Sequence, residues 1–330
     1  MTELDTVDRA VLERLQAEFP LVPRPFATLA EALNLDEDEL LARVRRLKEA
    51  GIIRQIGAIF DTRRLGYQST LVAFHVPDVQ LEGVAAQVSA HPGVSHNYAR
   101  PHHYNLWFTL AVPPGHDVSA EIDRLAQETG VEDLLNLPAI RVFKIQARFR
   151  LQESHAPQAQ DERDSPVSQA RAFAPADVPF VRALQEDLAL VPQPFAEAAG
   201  RLGVSEADLM KKAGELKSEG IMRRFSAVLR HRRVGYTANG MACWIVPDAR
   251  IEEVGRRAAE FSQVSHCYQR PAYPPRWPYT LFTMVHGQTR DEADAVVAEI
   301  ARETGLHQYE VLFSTREFKK ERVRYFEEEL

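Results

Sequence analysis

The 330-residue chain has only two cysteines, Cys243 and Cys267. They supply no disulfide framework and no CxxC metal-binding pair, so a reducing, cytoplasmic setting is expected. No stretch approaches the roughly 20 consecutive apolar residues that a bilayer-crossing helix needs. The opening Met1-Thr2-Glu3-Leu4-Asp5 is acidic and lacks an apolar h-region, so no secretory signal is expected either. Positive charge is scarce: 40 Lys plus Arg stand against 47 Asp plus Glu, a net −7. That is a poor balance for a dedicated nucleic-acid binder, although a local basic patch stays compatible with it. Apolar residues are plentiful at 45 %. This suffices for a packed core and excludes wholesale disorder, and the length implies two or more domains.

The chain repeats itself. Leu21-Val22-Pro23-Arg24-Pro25-Phe26-Ala27 returns as Leu190-Val191-Pro192-Gln193-Pro194-Phe195-Ala196. Gly51-Ile52-Ile53-Arg54 returns as Gly220-Ile221-Met222-Arg223, and Gly66-Tyr67 as Gly235-Tyr236. Val94-Ser95-His96-Asn97-Tyr98-Ala99-Arg100-Pro101 returns as Val264-Ser265-His266-Cys267-Tyr268-Gln269-Arg270-Pro271. The matches are collinear and far too widely spaced for a solenoid, so one complete unit is duplicated in tandem. The intervening stretch, rich in Gln, Ser, Ala, Pro and charge, reads as a linker.

Each unit opens with helical spacing, through Val7, Val11, Leu12 and Leu15, broken by Pro20, Pro23 and Pro25. A second helix from Phe26 to Leu33, a turn with Asp36 as N-cap, and a third helix ending at Gly51 follow. Ile52 to Ile56 reads as a strand, completing a helix-turn-helix with a short wing, repeated from Val178 to Arg224. The remainder reads as strand 67–76, helix 79–90, strand 94–100, strand 105–112, helix 117–129 and strand 137–149. This βαββαβ order is ferredoxin-like. The fold class is therefore α+β: helix-turn-helix domains at 1–65 and 173–234, ferredoxin-like domains at 66–150 and 235–330, and a linker at 151–172. A four-stranded sheet with both helices on one face needs a cover on the other. The duplication offers one, as an intramolecular pseudo-dimer; further self-association is left open.

Residues two apart in a strand share a face. His96, Tyr98 and Arg100 therefore form one polar row, and His266, Tyr268 and Arg270 another. Such rows do not enter a dry core without partners, so they face solvent or a polar cavity. Six of the eleven histidines, including His102 and His103, fall between positions 75 and 116.

A helix-turn-helix followed by a ferredoxin-like domain resembles the Lrp/AsnC regulators. The run from Ser95 to Pro101, followed by Tyr104-Asn105-Leu106-Trp107-Phe108-Thr109, together with Gly51 to Ala58 and Gly66-Tyr67, is more similar to the siroheme decarboxylases, enzymes built on the same Lrp-like fold. The resemblance implies loss of CO2 from two acetate groups of siroheme, giving 12,18-didecarboxysiroheme, in heme d1 or alternative heme synthesis. It implies His96 and His266 as proton donors, Tyr98 and Tyr268 as positioning groups, and Arg100 and Arg270 as carboxylate holders. His103, with His102 as a second choice, would ligand the substrate's iron or act as a further acid. Trp107, Lys144, Lys319, Tyr273 and Arg276 are further substrate-lining candidates, with Arg276 and Trp277 as a lid. No cofactor is expected beyond the substrate's own iron, because the macrocycle can serve as its own electron sink.

Two other readings remain open. A transcriptional regulator would use its recognition helix on DNA, but here that helix opens Asp36-Glu37-Asp38-Glu39 and its copy Ser205-Glu206-Ala207-Asp208. Acids at a helix N-terminus stabilise the helix and repel phosphates, so DNA binding is disfavoured. A non-catalytic tetrapyrrole sensor would use the same His and Arg residues and differ only in leaving siroheme unchanged.

Overall fold

The computed structural model describes residues 4–145, 173–229 and 238–327. The expected linker at 151–172, and Gly235 and Tyr236 of the repeat, lie outside the described residues. Unit one opens with α1 (Thr6–Ala17), α2 (Pro25–Ala32) and α3 (Glu37–Glu49). A reciprocal box caps α1: Asp8 N donates to Asp5 Oδ1 at 2.6 Å and Asp5 N to Asp8 Oδ2 at 3.3 Å. Pro25 sits at the start of α2, where its missing N–H costs nothing. Asp36 occupies the N-cap position of α3 but makes no side-chain capping bond. Gly51, at φ +67°, lets the chain leave α3 in the left-handed conformation that disfavours other residues.

Next come β1 (Ile53–Phe60), β2 (Gln68–Phe74), α4 (Leu81–Ala90), β3 (Val94–Ala99), β4 (Leu106–Val112), α5 (Val118–Thr129), β5 (Leu134–Pro138) and β6 (Arg141–Ile145). Unit two repeats this as α6 (Val178–Gln185), α7 (Ala196–Leu202), α8 (Glu206–Ser218), β7 (Met222–Leu229), β8 (Ala238–Trp244), α9 (Ile251–Glu260), β9 (Val264–Gln269), β10 (Leu281–Gly287), α10 (Arg290–Thr304), β11 (Tyr309–Phe313) and β12 (Arg316–Lys320).

Two expectations are corrected. The strand after α3 is no wing within its own unit: β1 pairs antiparallel with β7, so a two-stranded ribbon joins the helix-turn-helix domains. Of the expected single strand at 137–149, residues 146–149 lie outside the described residues, and the described part is split between two strands, broken after Pro138, which cannot donate a ladder hydrogen bond. After that break the units exchange edges. The sheets run β12-β3-β4-β2-β5 and β6-β9-β10-β8-β11, so each has the ferredoxin-like order plus one strand from the other unit. Gly255 on α9 makes room for the incoming β6, because a Cβ there would lie 2.4 Å from the Phe143 ring.

The helix-free faces of the two sheets pack on each other. Ala73, Trp107 and Leu137 from one side and Met241, Phe282 and Leu312 from the other form a core around Trp277, which is completely buried. Burial of each large apolar side chain contributes roughly 1.5–3 kcal/mol, so this pseudo-dimer is a single cooperative interior. The helix-turn-helix domains also share one core, in which Leu12 and Leu40 join Val181 and Leu209 across Ile56 and Phe225 of the ribbon. Among the described residues, no helix is long and apolar enough to cross a membrane.

Candidate functional site

The two polar rows lie on β3 and β9, the strands that accept the exchanged edges. Alternation sends the intervening residues toward the helices: Asn97 Nδ2 donates to Ala85 O at 3.1 Å and Ser89 Oγ at 3.0 Å, and Cys267 lies 3.5 Å from Gly255 O. His96, Tyr98 and Arg100 therefore face the space between the sheets, as do His266, Tyr268 and Arg270. Ring centroids are 6.2 Å apart for His96–Tyr98 and 5.9 Å for His266–Tyr268. Arg100 lies 5.8 Å and Arg270 4.8 Å from the centroid of its tyrosine ring. The imidazoles and phenols are half-buried, as expected for the lining of a cleft.

Each arginine crosses the pseudo-dyad. Arg100 Nη1 donates to Leu312 O, and Arg270 Nη1 to Leu137 O. Both guanidiniums are thus clamps between the halves as well as cations at the cleft. Burial brings each down to about 10, still fully charged at neutral pH.

The histidines are strongly perturbed. Burial first, then Lys320, Arg54 and His266, pushes His96 down to about 3. Burial first, then Arg270, Arg223 and Lys144, pushes His266 down to about 4. Each Nδ1 sits beside the preceding serine hydroxyl, at 2.9 Å for Ser95–His96 and 2.8 Å for Ser265–His266. Both rings are neutral at pH 7, held so by desolvation and surrounding positive charge.

The sequence reading assigned no role to several of these cations. Arg54 and Arg223 occupy equivalent places in the repeated Gly-Ile-Ile-Arg and Gly-Ile-Met-Arg segments, and each acts on the histidine of its own unit. Arg63 acts on Tyr268 and Arg270. Lys320, on the exchanged strand, stands directly across the ladder from His96. Half-buried Arg322 donates to Ala58 O at 3.1 Å and is brought down to about 10 by desolvation, Arg224 and Arg54. The repeat carried a signal for Arg54 and Arg223. Lys320 and Arg322 become neighbours of the site only through the strand exchange.

Other candidates lie elsewhere. Lys144 and Lys319 point to the helix side of their sheets: Lys144 Nζ donates to Phe261 O at 2.9 Å, and Lys319 Nζ to Ser89 O at 2.7 Å. Their charges satisfy carbonyls at helix ends, so neither is a carboxylate holder in the cleft. His102 and His103 lie beyond the aromatic core rather than beside His96. His102 packs edge-on to Trp277 at 5.4 Å, with Nε2 3.6 Å from Glu310. His103 stacks on His75 at 4.0 Å and bonds Asp133 at 2.7 Å, with 55 % of its side chain exposed. Trp107 stands across the ladder from Tyr98 but is fully buried, bonding Tyr104 O. Trp277 is core and not a lid. Tyr273 donates to Asn136 O at 2.6 Å, and Arg276 lies 3.5 Å from Asp133, so both latch the second unit to the first.

The recognition-helix cations are engaged within the protein. Arg43 and Arg46 bond Asp8, Arg45 donates to Leu190 O at 2.7 Å, and Lys48 pairs with Asp187 at 2.7 Å.

Comparison with known proteins finds the same two-domain unit in both halves of the chain. A family profile described as the siroheme decarboxylase NirDL-like HTH domain matches residues 8–54 and 180–223. One described as the AsnC-like ligand binding domain matches 64–144 and 233–319. The chain is 45 % identical to a siroheme decarboxylase of Hydrogenobacter thermophilus, over 97 % of this chain and 95 % of that protein. It is 36 % identical to the siroheme decarboxylase NirDL subunit of Paracoccus denitrificans, over 96 % of each. A siroheme decarboxylase alpha subunit of Desulfovibrio desulfuricans is 48 % identical and matches 46 % of this chain over 87 % of its own length. A crystal structure of the siroheme decarboxylase NirDL in co-complex with an iron-uroporphyrin III analogue superposes with a TM-score of 0.74 at 40 % identity, covering 96 % of this chain and 93 % of that one.

Proposed function

The chain belongs to the siroheme decarboxylase family, and from that premise we propose that it removes CO2 from two acetate side chains of siroheme to give 12,18-didecarboxysiroheme, in heme d1 or alternative heme synthesis. The observation that carries this reading is the pair of His-Tyr-Arg rows facing one cleft among clustered cations. Arg54, Arg63, Arg223, Lys320 and Arg322 gather around this cleft, with Arg223 also paired to Asp61 at 2.6 Å, and clustered positive charge of this kind attracts a polyanion. A tetrapyrrole with eight carboxylates is such a polyanion.

Each decarboxylation breaks the bond between the acetate methylene and its carboxylate. CO2 departs, the electron pair is delocalised toward the macrocycle, and one proton converts CH2 to CH3. His96 and His266 supply those protons, one for each acetate. The tyrosines position the ring, and the arginines with Lys320 hold carboxylates that keep their charge. No cofactor beyond the substrate's iron takes part. The engaged recognition-helix cations argue against the regulator reading, and the two buried thiols suit a cytoplasmic location.

Anaerobic incubation with siroheme followed by mass analysis tests the proposal. Loss of the mass of two CO2 is the expected result. Siroheme returned unchanged from a bound complex would leave a sensor in place of an enzyme.

A further inference from the structure

The two halves support their histidines differently. At His96, Ser95 Oγ is 2.9 Å from Nδ1, and among the described residues no further side-chain hydrogen bond extends from that hydroxyl. Beside His266 the hydrogen bonding continues inward: Ser265 Oγ is 2.8 Å from His266 Nδ1 and 2.5 Å from His286 Nε2. His286 Nδ1 is in turn 2.5 Å from Asn239 Oδ1. His286 lies on β10 with Asn239 directly across the ladder on β8, and the same ladders place Ala111 and Ser69 at the equivalent positions of unit one. The chain from Asn239 to His266 therefore belongs to one half only.

We propose that His286 is a positioning residue that fixes the tautomer of His266, so that His266 Nε2 is the atom that gains and gives up the proton in one of the two decarboxylations. The reasoning follows donors and acceptors along the chain. Asn239 Oδ1 only accepts, so His286 Nδ1 carries the hydrogen. His286 Nε2 is then bare and, at 2.5 Å, takes the Ser265 hydroxyl's hydrogen in preference to Met284 O, which lies 3.5 Å away. With its hydrogen committed, Ser265 Oγ accepts from His266 Nδ1–H. His266 Nε2 is left with a free lone pair. When His266 takes up a proton, Nδ1–H keeps its bond and only Nε2 changes. His286 itself stays neutral, because burial first, then His266 and Lys320, push it down to about 3. Its bonds thus keep one direction throughout a turnover. Ser95 has no such continuation and can turn its hydroxyl either way toward His96. The two decarboxylations are therefore unequal steps, and loss of His286 slows one of them.

This inference rests on the decarboxylase reading, but its first test does not need turnover. Nitrogen NMR of 15N-histidine-labelled full-length protein at pH 7, assigned with His266→Gln, reads the tautomer directly. The expected result is His266 protonated at Nδ1; a wild-type ring protonated at Nε2 overturns the proposal even if the enzyme is active. The second test compares His286→Leu with His286→Gln. Glutamine can accept from Ser265 through Oε1 and donate to Asn239 through Nε2, whereas leucine fills the space without either bond. In single-turnover assays with siroheme, His286→Leu is expected to slow one decarboxylation by roughly tenfold or more, with singly decarboxylated product accumulating, and His286→Gln to restore most of the rate. Equal slowing of both steps in the two variants, or an unchanged His266 tautomer in His286→Leu, refutes it. Should the leucine variant fail to fold, the wild-type tautomer and the glutamine variant still decide.

Discussion

Substrate binding should draw protons from solution. His96 sits at about 3 and His266 at about 4, so neither carries a proton to give at neutral pH. To act as acids near pH 7, His266 must rise by about 3 units and His96 by about 4, which at about 1.4 kcal/mol per unit requires about 4 and about 6 kcal/mol of new interaction. One carboxylate at ~4 Å supplies about 4 kcal/mol at an effective dielectric constant near 20. A substrate acetate is therefore sufficient for His266, and His96 needs in addition a carboxylate that neutralises Lys320 or Arg54. A group whose value rises on binding takes up a proton at any pH between its free and bound values. The window thus runs from about 3 for His96 and about 4 for His266 up to about 7, and affinity strengthens as pH falls through its upper part. The substrate's own carboxylates, ionised in solution at pH 6.5 and kept so by the arginines, do not contribute. Calorimetric titration of an iron porphyrin octacarboxylate into the protein at pH 6.5, in buffers of different ionisation enthalpy, counts the protons. Uptake of about one to two per chain is expected, falling toward zero in a His96→Ala, His266→Ala double variant. Proton release, or uptake that survives the double substitution, would refute the reasoning.

Three further outcomes follow from the same geometry. Arg54→Ala and Arg223→Ala should each weaken binding of the porphyrin octacarboxylate and flatten its salt dependence without unfolding the protein, as read by fluorescence quenching across ionic strengths. Trp277→Ala, which empties the centre of the inter-sheet core, should cost about 3–5 kcal/mol in denaturant unfolding. Lys319→Met should lower stability by about 1 kcal/mol through the lost bonds to Ser89 O and His91 O, yet leave decarboxylation near the wild-type rate; a large loss of turnover in a folded variant would return Lys319 to the cleft.

The features legible in the sequence were those written in local periodicity. Strand parity is a two-residue rule, and it correctly put His96, Tyr98 and Arg100 on one face, with Asn97 turned to the helix. The duplicated motifs gave the pseudo-dimer, because an uncovered sheet face in each unit has the other as its nearest partner. What failed depended on contacts between distant segments. Nothing local distinguishes a wing that folds back in its own unit from β1, which pairs with β7. Nor does a Lys-Lys pair at a strand end reveal that Lys319 reaches helix carbonyls while Lys320 faces His96. Clustering in sequence also misled: His102 and His103 follow Arg100 closely, but the buried ring of Trp277 meets them from the far side of the core.

The exchanged strands show why the halves of one chain need not do equal work. β12 brings Lys320 opposite His96, whereas the corresponding β6 brings Ile145 opposite His266. Each histidine is thus flanked by a residue encoded in the other unit, and substitution in one unit alters the site of its partner. In a symmetric dimer of identical units such a change would appear at both sites at once. Joined in one chain, the two copies of each position vary separately. A lysine from the exchanged strand can then stand opposite one imidazole while a serine–histidine–asparagine chain supports the other. For two successive decarboxylations of a single macrocycle this separation has a direct physical use. After the first CO2 has gone, the substrate carries one negative charge fewer. The histidine acting second must then hold its proton against cations that are less well neutralised. A fixed tautomer at His266, and a lysine from the exchanged strand opposite His96, are unequal environments suited to those unequal charges.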